Sequence, residues 1–155
     1  MQYYEDIEVE EPESFGSISV PKDEIVDFAT QFDPQPIHVD EEAARESMYD
    51  GIIASGLHTL CLTIRLYSDE FLQDVAFVVG RGLKDVRFLA PVFPGDTLSI
   101  RVEVIDKWDS PSDPNWGELE VGITTTNQAG TEVLSLIDPS IVKRRVPSDG
   151  EHITE

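Results

Sequence analysis

An aspartate and a histidine stand five residues apart in Asp33-Pro34-Gln35-Pro36-Ile37-His38. Two prolines fix backbone angles there and bias the residues before them away from helix, so the stretch reads as a stiff loop presenting both side chains. A carboxylate and an imidazole that share one water can divide general-base and general-acid work, each role contributing about 10²–10⁴ in rate. Which of Asp33 and His38 takes the proton and which gives it is open in the sequence. Gln35 lies between them and can hold the water or the loop. Shortly after comes Ser55-Gly56-Leu57. Ser55 is a good N-cap, and a helix beginning at Gly56 offers about half a positive charge at its N–H groups. Glycine lets a substrate approach the backbone closely, so the Gly56 N–H is a candidate acceptor site for an oxyanion. Taken alone, Asp33 equally braces a turn and His38 equally bonds a loop carbonyl.

These groups need elements to hold them. Phe15 to Val20 alternates apolar and small polar residues, as a first strand does. Pro21 opens a short helix with Asp23 and Glu24 in its first turn, and it stops before Pro34. Asp40 can cap a second short helix, which Met48-Tyr49-Asp50-Gly51 breaks. From Ser55 to Tyr67 the apolar positions are 57, 60, 61, 62, 64, 66 and 67, with Arg65 the only charge. That pattern predicts a central helix (about 55–67) buried on most sides. The second half reads as strands. Val75–Val79 is a short apolar run, Val86 and Phe88 alternate with polar residues, and Leu98, Ile100, Val102 and Val104 lie on one face of a long strand. Leu119, Val121 and Ile123 alternate again, and Asn127-Gln128-Ala129-Gly130 reads as a hairpin turn. Val133–Val142 is a last strand in which Asp138-Pro139 predicts a bulge or an edge. The class is α+β: one domain over residues 1–146, led by an acidic strap at 1–14, with an antiparallel sheet around one long helix and a polar tail at 147–155.

The 155 residues include 31 acidic and 11 basic side chains, a formal charge of −20. So acidic a surface excludes nucleic acid and anionic membrane as partners, since both need basic stripes. It suits a protein kept soluble in concentrated salt, where self-repulsion is screened over about 3 Å at 1 M. Melting temperature is therefore expected to rise from dilute buffer to molar KCl. The single cysteine, Cys61, excludes an intrachain disulfide and reads as a buried thiol. The acidic start and the lack of a long apolar run predict a cytoplasmic protein with no spanning segment. His38, His58 and His152 are too scattered for a metal site, and His58 reads as a packed side chain. Arg81, Lys84 and Arg87, and separately Lys143, Arg144 and Arg145, are the only basic clusters.

The order of elements, with that loop, resembles the hot-dog fold, and specifically the MaoC-like dehydratases, or R-specific enoyl-CoA hydratases. The matching run is Asp33-Pro34-Gln35-Pro36-Ile37-His38-Val39-Asp40, followed by Ala43 and Ala44, with Gly56 at the central helix and Pro91-Val92-Phe93-Pro94-Gly95-Asp96 before the long strand. It departs at Phe32, where the family usually has glycine, and at Gln35, where it usually has asparagine. The resemblance implies reversible addition of water to a trans-2-enoyl-CoA, giving an R-3-hydroxyacyl-CoA, without a cofactor. It implies Asp33 and His38 as catalytic residues and Gly56 and Gln35 at the oxyanion and substrate. The partner is then an acyl-CoA, with Arg81, Lys84 and Arg87 as candidate contacts to its phosphates. It also implies a homodimer or a multiple of dimers, which covers an exposed sheet edge. The alternative of another class is a non-catalytic acyl-thioester-binding module, or a subunit of a hetero-oligomeric dehydratase, which Gln35 keeps open.

Overall fold

Alternation in the second half of the chain becomes three long antiparallel strands. The computed structural model describes residues 1–149. In chain order the elements are β1 (Glu13–Ser19), α1 (Lys22–Phe32), α2 (Pro36–Val39), α3 (Glu41–Arg45), α4 (Gly56–Glu70), β2 (Phe77–Gly80), β3 (Lys84–Phe88), β4 (Thr97–Asp109), β5 (Trp116–Thr126) and β6 (Glu132–Lys143). They build one antiparallel sheet in the order β1-β4-β5-β6-β2, with β3 also paired to β6. Asn127–Gly130 makes the β5–β6 turn, where the Asn127 carboxamide oxygen accepts the N–H of Ala129 and of Thr131. The acidic strap docks by a short bridge of Gln2 to Val75 and by burial of Ile7. The tail expected at 147–155 lies outside the described residues from position 150 onward.

One face of the sheet is largely apolar. Leu98, Ile100, Val102, Leu119, Val121, Ile123, Leu134, Leu136 and Val142 are buried there, with Thr125, Asp138 and Ser140 among them. Fully burying a side chain of this kind stabilises by about 1.5–3 kcal/mol, so this face dominates the stability of the fold. The central helix α4 lies against it, with Leu66 and Tyr67 in the same core. It runs one turn beyond the expected end.

Two expectations fail here. The helix is not buried on most sides. Its buried positions are His58, Thr59, Thr63, Leu66 and Tyr67, whereas Leu57 and Cys61 are exposed. The face turned to the sheet carries hydroxyls, of which Thr63 finds a partner there, in the 2.6 Å hydrogen bond with Thr125. Cys61 is thus an exposed thiol and not a buried one. Second, β6 is an interior strand, flanked by β5 and by β2 and β3. Proline is tolerated in it because β3 pairs as far as Ile137 and β2 begins at Ser140. The Pro139 carbonyl accepts the Arg81 N–H on that side, so the missing donor falls where the neighbour changes.

Candidate active site

Helix α1 ends at Phe32 because Asp33 leaves helical angles (φ −158°, ψ 69°) ahead of Pro34. The segment after it is not all loop, as the two prolines suggested. Pro36 opens the single helical turn α2, where a residue lacking an N–H costs nothing, and His38 sits in that turn. Asp40 closes α2 and caps α3, accepting the N–H of Glu42 and of Ala43. The Ile53 N–H donates to the Ile37 carbonyl at 3.2 Å, tying this turn to the approach to α4. Both candidate side chains therefore stand on hydrogen-bonded backbone.

The structure brings four of the expected residues together. The Ser55 hydroxyl donates to Asp33 Oδ2 at 2.6 Å while its oxygen accepts the Leu57 N–H and caps α4. Gln35 Nε2 donates to Asp33 Oδ1 at 2.8 Å, so its added methylene still delivers the amide to the carboxylate. These two bonds, Ser55 first, hold the Asp33 carboxyl below its usual range and favour the charged form. His38 is 5% exposed, and its Nδ1 lies 2.8 Å from the Ile53 carbonyl. A carbonyl only accepts, so Nδ1 carries a proton, and in the neutral imidazole Nε2 is the nitrogen with the lone pair. That Nε2 lies 3.5 Å from Asp33 Oδ2. Two acceptors at this spacing can both be served by one water donating to each.

Gly56 begins α4. The Ser55 carbonyl takes the N–H of His58 and of Thr59, and the Gly56 N–H has no partner among the described residues. A Cβ at this position would meet the Phe88 ring at 2.8 Å, so glycine is what lets β3 close over the helix start. A cavity of about 240 Å³ opens beside it, with His38, Gly56, Thr59 and Val133 among its walls. Tyr49 and Thr59 line it too, and the sequence reading missed both. Thr59 lies three residues after Gly56 and so shares its helical face, a signal the spacing did carry.

The remaining expected residues lie elsewhere. Arg81 pairs with Glu118 at 2.6 Å and Lys84 with Glu120 at 2.9 Å, both carboxylates on β5, and neither lines the cavity. Arg87, next to Phe88, makes no ion pair among the described residues. His58 is packed as expected, stacked on Phe28 with ring centroids 4.7 Å apart, and burial lowers its pKa.

A sheet around a central helix, with a carboxylate and an imidazole beside the helix N-terminus, defines a hot-dog protein. Residues 6–127 match the profile of the MaoC like domain, and the chain belongs to that family. It is 38% identical over 128 residues to the uncharacterized protein YdeM of Bacillus subtilis, spanning 83% of this chain and 89% of that protein. The crystal structure of the MaoC-like dehydratase from Rhodospirillum rubrum superposes with a TM-score of 0.85 at 33% identity, covering 94% of this chain and 99% of that one. The (R)-hydratase from A. caviae involved in PHA biosynthesis shares the fold, with a TM-score of 0.63 at 22% identity over 89% of this chain and 97% of that one.

Proposed function

We propose that this protein is an enoyl-CoA hydratase, adding water reversibly to a trans-2-enoyl-CoA to give an R-3-hydroxyacyl-CoA. The observation that carries the reading is the placement of Asp33 Oδ2 3.5 Å from His38 Nε2, beside the unpartnered N–H of Gly56. A water between the two acceptors loses a proton to His38 Nε2 as its oxygen bonds to C3 of the enoyl group. The π electrons move onto the thioester oxygen, which the Gly56 N–H and the helix end stabilise. The pair returns through C2, which takes the proton from the His38 imidazolium, so the site ends as it began. Asp33, held ionised by Ser55 and Gln35, orients the water and balances the imidazolium. Gln35 thus does the holding work of the usual asparagine, which weighs against the non-catalytic reading.

The CoA handle leaves by the exposed rim at Phe88 and Leu89. Of the three basic residues expected at its phosphates, Arg87 is the one not engaged by a carboxylate, and it is the phosphate contact in this reading. A dimer is the working assembly, joined along the edge at β2 and β3. The test is loss of crotonyl-CoA absorbance in high salt. Turnover is expected in the wild type and is expected to vanish in Asp33→Asn and His38→Gln. Equal turnover in all three proteins overturns the assignment of the site.

A further inference from the structure

We propose that Thr59 selects the acyl group: the natural substrate is a short enoyl thioester carrying a neutral hydrogen-bonding oxygen, a hydroxyl or carbonyl, beyond C3. This rests on the hydratase reading and goes on to name its substrate class.

The cavity beside Gly56 has an inner and an outer end. Phe88 and Leu89 are half exposed and mark the mouth, whereas Ala54, Thr59, Val92 and Val133 are buried. A CoA handle fits only the mouth, so the acyl carbons point inward. The volume of about 240 Å³ is below the usual range of about 300–1,000 Å³ for ligand pockets, which favours a short acyl group at the inner end.

The polar side chains lining the cavity are His38, the partly exposed Tyr49 and, with no role in the hydration step, Thr59. This residue is 3% exposed, yet its hydroxyl has no hydrogen-bond partner among the described residues. Thr59 lines the cavity, and its oxygen is not among the fully enclosed unpartnered atoms, which are His58 Nδ1, the Tyr67 hydroxyl and the Ser148 Oγ. Elsewhere on the buried face of α4 the hydroxyl is satisfied, since Thr63 bonds both Thr125 and the Thr59 carbonyl. Valine has the same shape as threonine and carries no polar atom to bury, so a hydroxyl here needs water or a ligand in the cavity to meet it.

The position of the hydroxyl fits the same substrate pose. Thr59 follows Gly56 by three residues, an axial rise of about 4.5 Å. With the thioester oxygen on the Gly56 N–H, that step reaches the carbons just beyond the double bond. The ligand group is neutral because, apart from His38, no basic side chain lines the cavity, and a carboxylate there would be buried unpaired.

The experiment compares kcat/KM for crotonyl-CoA and 4-hydroxycrotonyl-CoA in the wild type, Thr59→Val and Thr59→Ser. The wild type is expected to favour the hydroxylated ester. The ratio of the two constants is expected to fall by at least about tenfold in Thr59→Val and to recover in Thr59→Ser. A wild type that prefers the plain ester overturns the proposal, as does a ratio that stays the same in a folded Thr59→Val. If Thr59→Val does not fold, the wild-type preference and the Thr59→Ser ratio decide. Turnover of crotonyl-CoA with no gain from the hydroxyl refutes the substrate class and leaves the hydratase standing. Turnover of neither ester overturns both.

Discussion

Asp33 and Asp138 lie beside opposite ends of the central helix, and their carboxyls are shifted in opposite directions. Asp33 receives donors on both oxygens, from Ser55 and Gln35, and its pKa is lowered. Asp138 is buried beside Tyr67 and receives the Ser140 hydroxyl at 2.8 Å. Burial outweighs that bond, and the pKa of Asp138 is raised. The Tyr67 hydroxyl faces Asp138 and Ser140 without ordinary hydrogen-bond geometry to either, and burial together with Asp138 raises its pKa as well. A carboxylate held ready for chemistry needs donors that hold the charged form and an opening to substrate. Asp138 has one such donor against the two of Asp33, and there burial outweighs it.

The linkage follows from these directions. Asp33 contributes stability that is present above its unfolded pKa and is lost as pH falls through its lower folded value. The contribution of Asp138 is full below its unfolded pKa and is lost as pH rises through its higher folded value.

The sharpest break in the comparison is Asp33→Asn. It is expected to lower kcat/KM by about 10²–10⁴ and to lower the melting temperature at neutral pH, because the stability carried by the ionised carboxylate goes with it. Asp138→Asn, assayed beside it, is expected to retain activity; a large loss there would place both ends of the helix in one site. Ser55→Ala comes next. It removes a donor to Asp33 and the cap of α4, and should cost about tenfold in kcat/KM and about 1 kcal/mol of stability. The acidic limb of its pH–rate profile should move to higher pH, since the carboxylate loses its largest support; an unmoved limb would show that the limb does not report Asp33.

A smaller effect is expected for Asp138→Asn on stability. At neutral pH it should raise melting temperature by a few degrees at most, about 1 kcal/mol, and the gain should shrink on acidification. A gain that grows on acidification would reverse the assigned direction. The last is a null difference. KCl should raise the melting temperature of the wild type and of Asp138→Asn alike, because screening acts on the exposed carboxylates and reaches a buried one weakly. Unequal salt responses would mean that Asp138 is open to solvent ions.

Local signals fixed much of this protein in the sequence itself. Proline placement ended α1, Asp40 and Ser55 marked two helix starts, and alternation located β4, β5 and β6. Each depends on neighbours within a few residues, so no fold is needed to read it. The Asp33–His38 pair was legible for the same reason, with the hot-dog resemblance adding its meaning. What the sequence could not decide depended on residues far apart in the chain. Ser55 meets Asp33 from 22 positions away, and the Ile53 carbonyl sets the His38 tautomer from 15. The Phe88 ring comes to lie over Gly56 only because β3 pairs with β6. On α4 composition pointed the wrong way, since apolar residues surround the helix and the face that packs on the sheet carries His58, Thr59 and Thr63 beside Leu66 and Tyr67. Cys61 turned outward with the face opposite to it. Arg81 and Lys84 formed a basic cluster until strand register set Glu118 and Glu120 beside them. Periodicity gives the spacing of side chains on an element; only packing chooses which face is buried and which charges are neutralised.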